Sequence, residues 1–288
     1  MKPSFLPRFL VTLIVVAIAA LVVWQLWVYY MLDPWTRDGR VRADIVEIAP
    51  DVSGLVAQVF IRDNQAVHTG EPLFQIDPVR FQLALQSAIA SVAKAKATLA
   101  QAQSDARRVD GLSGNAVSAQ SRDQSNTNVR EAEAAYDAAI TDQGVAQLNL
   151  DRATVRATVN GIVTNFSMQP GDYVTAGSAV AALVDTDSLY VDGYFEETKL
   201  PRIAIGDTAR VTLLGGSPAI TGHVASIAAG IADTERAESP NLLANINPTF
   251  TWVRLAQRVP VRIELDHVPP NLRLISGLTA TVQIEQTR

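Results

Sequence analysis

One stretch of this chain occurs twice, and that repetition limits the fold more than any other feature. Residues 48–77 recur as 155–185. At a constant offset of 107 with no gap, Gly54 falls on Gly161, Val56 on Val163, Ile61 on Met168, Val67 on Val174, Gly70 on Gly177 and Ile76 on Leu183. Two glycines at a fixed separation predict two backbone corners at matching places. Alternating apolar residues between them predict short strands. An Ala-rich, helix-patterned stretch lies between the copies. Two half-domains can pair into one small β-sandwich only if that insert goes out and comes back, so it must be a helical hairpin. Such a geometry suits a spacer rather than an enzyme.

The insert has the matching periodicity. Phe81, Leu85, Ala88, Val92, Ala95, Leu99, Ala102, Ala106 and Val109 alternate in steps of four and three, an unbroken heptad seam. Pro78 sits at its first turn and Gly111 and Gly114 are placed to stop it. Val129, Ala132, Tyr136, Ala139, Gln143, Ala146 and Leu150 form a second seam that returns. Each helix should run roughly 32 residues, about 48 Å at ~1.5 Å per residue. Alanine along the seams permits close approach but buries little area per residue. Gly144 interrupts the second helix without an evident reason.

The N-terminus carries a second constraint. Residues 9–31 hold no charge and one strongly polar side chain, Gln25. A bilayer-spanning helix needs ~20 apolar residues. Trp24, Trp27, Tyr29 and Tyr30 gather where an aromatic belt belongs, and Lys2 and Arg8 precede the span without an acid, which keeps that end in the cytoplasm. A cleaved signal peptide is the competing reading, since Ala17-Ile18-Ala19 resembles a cleavage site. The apolar run nevertheless continues twelve residues past Ala19. As an anchor, it puts the rest of the chain outside the cytoplasm, in the periplasm of a two-membrane bacterium.

Beyond the second half-motif, strand patterns occupy 189–195, 209–214, 220–227, 259–265 and 278–284, with turns at Gly206-Asp207, Gly215-Gly216 and Ser276-Gly277. The alternating run Val41, Ala43, Ile45, Ile48 reads as one more strand. Six strands suggest a small β-barrel, and 231–249 a long mobile loop within it. Pro260 would demote its strand to an edge. The expected order is a cytoplasmic N-terminus 1–8, an anchor 9–31, a linker and barrel strand 32–47, half-sandwich 48–77, hairpin 78–152, half-sandwich 153–185 and barrel 186–288. The fold class is therefore multi-domain, mainly β plus α.

Composition removes several functions. The net charge of −5 gives no basic excess for nucleic acid, and no cysteine is present for a disulfide, thiolate nucleophile or zinc–thiolate site. His68, His223 and His267 have no metal-ligand spacing to one another or to a carboxylate pair. Glu196 and Glu197 are adjacent, so on a strand they face opposite sides. Neither a Ser/His/Asp order, a P-loop nor a dinucleotide fingerprint is visible. No catalytic residue, cofactor or metal is expected. The paired half-motif is similar to lipoyl and biotinyl carrier domains, which attach their cofactor to a lysine between the halves. Here the only lysines are Lys2, Lys94, Lys96 and Lys199, none of them in a half-motif.

Anchor, split lipoyl-like motif around a coiled-coil hairpin, and trailing barrel together resemble the periplasmic adaptors of tripartite efflux pumps, the membrane fusion proteins of HlyD type. Local strings narrow the resemblance: Pro34-Trp35-Thr36-Arg37-Asp38, Ile48-Ala49-Pro50-Asp51-Val52-Ser53-Gly54, Glu196-Glu197-Thr198-Lys199-Leu200, and Trp252-Val253-Arg254-Leu255-Ala256-Gln257-Arg258-Val259-Pro260-Val261-Arg262-Ile263. They look like the subgroup holding the p-hydroxybenzoic acid efflux adaptor and the Emr-type multidrug adaptors. The resemblance implies a TolC-type outer-membrane channel docked at the hairpin tip, an inner-membrane transporter held by barrel and anchor, and self-association, commonly as six copies. Arg108, Leu112 and Ser118 match in order the Arg, Leu and Ser with which the family contacts the channel. The interval from Leu112 to Ser118 is one residue shorter than in many members. Each has a plainer role open to it: Arg108 on a solvated helix C-terminus, Leu112 over the end of the hairpin core, Ser118 as a helix cap. In the last string Val259, Val261 and Ile263 alternate as barrel interior, whereas Trp252, Arg254 and Arg258 are candidates to shape a loop facing the transporter or a neighbouring protomer. An adaptor for type I protein secretion is the alternative, although its hairpins tend to be much longer than 78–152.

Overall fold

The computed structural model describes residues 5–27, 33–111, 118–216, 218–231, 236–237, 245–246, 256–269 and 272–285. Its first element, α1 (Phe5–Trp27), contains the apolar stretch Phe9–Trp27, with a mean hydropathy of 2.7. Residues 28–31 of the expected span lie outside the described set. The rest divides into two units, one made of residues 45–187 and the other of 188–288 together with the segment up to Asp44.

The first unit is the split sandwich with its inserted hairpin. Half one supplies β2 (Ile45–Ile48), β3 (Gly54–Val59), β4 (Ala66–Val67) and β5 (Pro72–Ile76), after β1 (Trp35–Arg42) of the other unit. Half two supplies β6 (Thr154–Arg156), β7 (Gly161–Thr164), β8 (Tyr173–Val174) and β9 (Ala181–Asp185). The two four-stranded sheets run β2-β9-β7-β4 and β6-β5-β3-β8. In each sheet the two inner strands belong to one half and the two outer strands to the other. The repeat is therefore a pseudo-twofold, and hydrogen bonds obey it. Gly70 N–H donates to Ala157 C=O (2.8 Å) while Gly177 N–H donates to Pro50 C=O (2.9 Å). Asn64 N–H donates to Val163 C=O (2.9 Å) while Gly171 N–H donates to Val56 C=O (2.8 Å). Every member of one pair is 107 positions from its counterpart in the other.

Only one of the two repeated glycines is a corner. Gly70 and Gly177 have φ of 84° and 76°, the left-handed region that glycine adopts without a Cβ penalty. Gly54 and Gly161 instead open strands where no side chain fits. A Cβ on Gly161 would lie 2.2 Å from the Val184 carbonyl oxygen, and one on Gly54 2.7 Å from Ile76 Cγ2. The shared core draws on both halves: Val56, Leu73, Phe74 and Ile76 from the first, Val163, Phe166, Val174 and Leu183 from the second.

Between β5 and β6 the chain makes α2 (Val79–Asp110) and α3 (Ala119–Arg152). In α2 all nine seam residues are shielded, joined near the tip by Ser104 and Asp105, and Ala106 is the one buried residue; in α3 Ala132 plays that part. The helix starts on Pro78 as its N-cap residue, and the Asp77 carboxylate accepts from Val79 N–H (3.1 Å). Gly111 ends α2 at φ −72°, so it does not use the left-handed cap that a glycine there suggests. Gly114 lies outside the described residues. Nothing in the structure explains Gly144, which is exposed with open space around it.

The second unit is a closed six-stranded barrel, β1-β10-β15-β12-β11-β16. Its remaining strands are β10 (Tyr190–Glu196), β11 (Thr208–Leu213), β12 (Ile220–Ile227), β15 (Arg258–Leu265) and β16 (Thr279–Glu285). Val41, Val191, Phe195, Val211, Ile263 and Val282 fill the interior. Three expectations from the sequence change here. The run from Val41 to Ile48 is two strands, because it breaks at Ala43-Asp44, and β1 joins the barrel while β2 joins the sandwich. Pro260 is in a strand paired on both sides rather than at an edge. Its carbonyl accepts from Ala228 N–H (3.0 Å), just past the end of β12, so its proton-less nitrogen faces the point where that ladder stops. Within 231–249, β13 (Arg236–Ala237) pairs with β14 (Asn245–Ile246), which the reading as a plain loop did not include.

Candidate functional site: the hairpin tip and a cavity on the barrel

The hairpin tip sits where two Ala-lined helices end. Arg108 is exposed on the last turn of α2 and ion-paired with Asp105 one turn earlier, at the helix end that favours a cation. Ser118 is the N-cap of α3, its Oγ accepting from Ser121 N–H (3.2 Å). Leu112 lies outside the described residues. Arg122 was missed at the sequence level. It continues the α3 seam by the spacing 122, 125, 129, and its Nε is buried without a hydrogen bond among the described residues. A guanidinium at a seam position close to the tip is the signal that the apolar count overlooked.

At the base, the hairpin grows out of paired strands. Gln75 and Thr154 are Cα partners, so the helices leave and return side by side. Phe81 packs against the sandwich core, and Ala153 is fully buried. Arg152 pairs with Asp51 (3.1 Å) and Arg80 donates to the Ser53 carbonyl.

On the barrel, Arg258 opens β15 and pairs with Asp38 (2.6 Å). Trp252 and Arg254 lie outside the described residues. Three of the distinctive strings meet here: Trp35, Thr36, Arg37, Tyr194, Glu196, Lys199 and Arg258 line one cavity of about 420 Å³. Lys199 is buried, its Nζ 3.3 Å from the Trp35 carbonyl oxygen and 5.3 Å from the indole centroid. Alongside, Arg42 pairs with Asp192 (2.9 Å) and donates to Tyr194 Oη (3.0 Å), while Arg262 stacks on Tyr190 at 3.6 Å. Desolvation holds the Asp192 carboxyl above its ordinary value, with Arg42 and Arg262 pulling it down less strongly.

His223 does meet carboxylates, a contact that linear spacing could not show, since its register partner on the neighbouring strand β15 is Glu264. Its Nδ1 is 2.7 Å from Asp266 and its Nε2 3.7 Å from Glu264. The two acids face opposite edges of the imidazole, and among the described residues no group of three or more ligands is placed to hold a metal.

Comparison with known proteins agrees with this architecture. Residues 44–186 match the RND MFP barrel-sandwich hybrid domain, and residues 188–285 the AAEA-like beta-barrel domain. The uncharacterized protein YdhJ of Escherichia coli K12 is 44% identical over 97% of this chain and 98% of its own. Among solved structures, the membrane fusion protein Spr0693 of Streptococcus pneumoniae R6 superposes with a TM-score of 0.65 at 18% identity, over 88% of this chain and 99% of that one. A MacA–MexA chimera carrying the Pseudomonas aeruginosa MexA α-hairpin domain gives 0.54 at 19% identity, over 89% and 83%. At such identities these two speak for the fold. The chain belongs to the membrane fusion protein family, the periplasmic adaptors of efflux systems.

Proposed function

We propose that this chain is the adaptor of a tripartite efflux pump, linking an inner-membrane transporter to a TolC-type outer-membrane channel. It does no chemistry. α1 anchors it once in the inner membrane, and the body lies in the periplasm. The exported compounds are aromatic carboxylic acids or hydrophobic drugs. The observation that carries the reading is the hairpin inserted between paired strands of a split sandwich, which projects a tip about 48 Å from its base at ~1.5 Å per residue. Arg108, Leu112 and Ser118 contact the channel, and Trp252, Arg254 and Arg258 contact the transporter or a neighbouring protomer.

Self-association into a ring, taken as six copies, has support at the hairpin base. Val79 and Leu83 on α2, and Val145 and Leu148 on α3, are 47–61% exposed. Val79, Leu83 and Leu148 each stand two residues from the nearest seam position, about 200° around the helix, and so face away from the partner helix, while Val145, one residue before Ala146, flanks the seam. Aliphatic faces on both outer sides suit a head-to-tail contact between copies, the kind that closes rings.

The test is export by a deletion strain complemented with wild type or with Arg108→Glu, joined to photo-crosslinking from position 108. Loss of the chain should raise sensitivity to an exported aromatic acid or drug, and the crosslinker should capture the outer-membrane channel. Unchanged export together with no channel adduct refutes the proposal.

A further inference from the structure

The barrel cavity holds more positive charge than its surroundings neutralise. Lys199 is 8% exposed, and among the described residues no carboxylate comes within 4.0 Å of its Nζ. A buried ammonium whose partners among the described residues are a carbonyl and an indole face carries a desolvation cost that an anion would offset. Arg37 leans on the same Trp35 ring, Cζ 5.6 Å from the centroid, and makes no ion pair among the described residues. Two cations thus share one ring. Arg258, the third cation, is taken by Asp38, and Glu196 is the only acid on the wall among the described residues. Among the described residues, three cations against two carboxylates leave one net positive charge.

We infer that this cavity binds a phosphodiester, and that its source is a phospholipid headgroup. A phosphodiester carries a single negative charge and offers several acceptor oxygens to guanidinium and ammonium donors. The volume of about 420 Å³ falls within the range of small-ligand sites. The source follows from the tether. Seven residues separate Trp27, the last of α1, from Trp35, so the two Cα atoms are at most about 28 Å apart. The cavity cannot leave the neighbourhood of the leaflet in which α1 is anchored, and tryptophan beside lysine and arginine is the side-chain set of a membrane interface. The inference rests on α1 as an anchor and goes beyond the adaptor reading.

The experiment is native mass spectrometry of the full chain in non-ionic detergent, with phosphatidylglycerol or inorganic phosphate added. Wild type should retain one phosphatidylglycerol that Lys199→Met and Arg37→Gln lose at least tenfold, while Arg40→Gln, outside the cavity, keeps it. Arg37 is exposed, so its variant carries the test should Lys199→Met fail to fold. Equal retention in a folded Lys199→Met or Arg37→Gln chain overturns the site. Binding of inorganic phosphate as tight as that of the lipid keeps the phosphate chemistry and overturns the headgroup assignment. No transporter is needed, so a negative result leaves the adaptor reading standing.

Discussion

Truncating Leu183 tests the shared core directly. Leu183 is fully buried on β9, between Val46 of half one and Val163 of half two. Replacing a buried leucine by alanine costs about 2–5 kcal/mol, because the removed methyl groups leave a cavity that neighbours fill only partly. If one core serves both halves, that loss belongs to the whole sandwich. Hydrogen exchange of the full-length Leu183→Ala chain should then speed up by about 30-fold to a few thousand-fold in peptides covering β7 and β9, at 1.4 kcal/mol per tenfold. The telling peptides are those of β3 and β5, more than a hundred residues upstream, which should accelerate by a similar factor. Barrel peptides over β11 and β15 should stay at wild-type rates, and Val261→Ala should reverse the pattern. Acceleration confined to residues 161–185 would mean that the halves are separate modules, and the hairpin would lose its two-strand base.

Gly161→Ala should destabilise the sandwich by about 3 kcal/mol through the clash with the Val184 carbonyl, whereas Gly144→Ala should stabilise α3 by up to ~1 kcal/mol, both read by denaturant midpoints. Ser118→Ala should cost the tip about 1 kcal/mol in hydrogen exchange at the start of α3, and Ser118→Asp should restore it, since either side chain can accept from Ser121 N–H. The raised Asp192 carboxyl means that the folded chain holds that proton more tightly than the unfolded one. Stability is therefore lost as pH rises from the ordinary value of 3.8 through the raised one. Melting curves over that window should show Asp192→Asn gaining on wild type as pH rises, with a constant difference below it; a constant difference throughout rejects the sign.

Periodicity exposed what is local or repeated. The hairpin seams could be read because each shielded position recurs at three or four residues, and the half-motifs because identical backbone turns demand small residues at identical places. Strand limits for β10, β11, β12, β15 and β16 came within a residue for the same reason, while β1 begins six residues upstream of the run that suggested it. What stayed hidden depends on partners distant in the chain. Ala43 and Asp44 continue the alternation across a boundary between two sheets, so the pattern cannot show that β1 and β2 part company. Lys199 lies in an exposed-looking acidic string, and only the fold brings it under Trp35, 164 positions away. His223 meets Glu264 and Asp266 through strand pairing alone. Arg122 escapes an apolar periodicity because a guanidinium holds its seam position.

The connection between base and tip then follows from geometry. An Ala-rich seam gives a thin hairpin with one buried residue in each helix, too little buried surface for the rod to set its own direction. Its direction is set where α2 and α3 meet β5 and β6. There Gln75 and Thr154 hold the feet at strand spacing, Phe81 and Ala153 fix the rotation of each helix, and Arg80 and Arg152 tie the flanks to Ser53 and Asp51. A tilt of only about 5° at this base would move a tip ~48 Å away by about 4 Å, more than the length of a hydrogen bond. Placement of Arg108 and Ser118 is thus decided by sandwich residues, and interleaving the two halves braces each foot with strands from both copies.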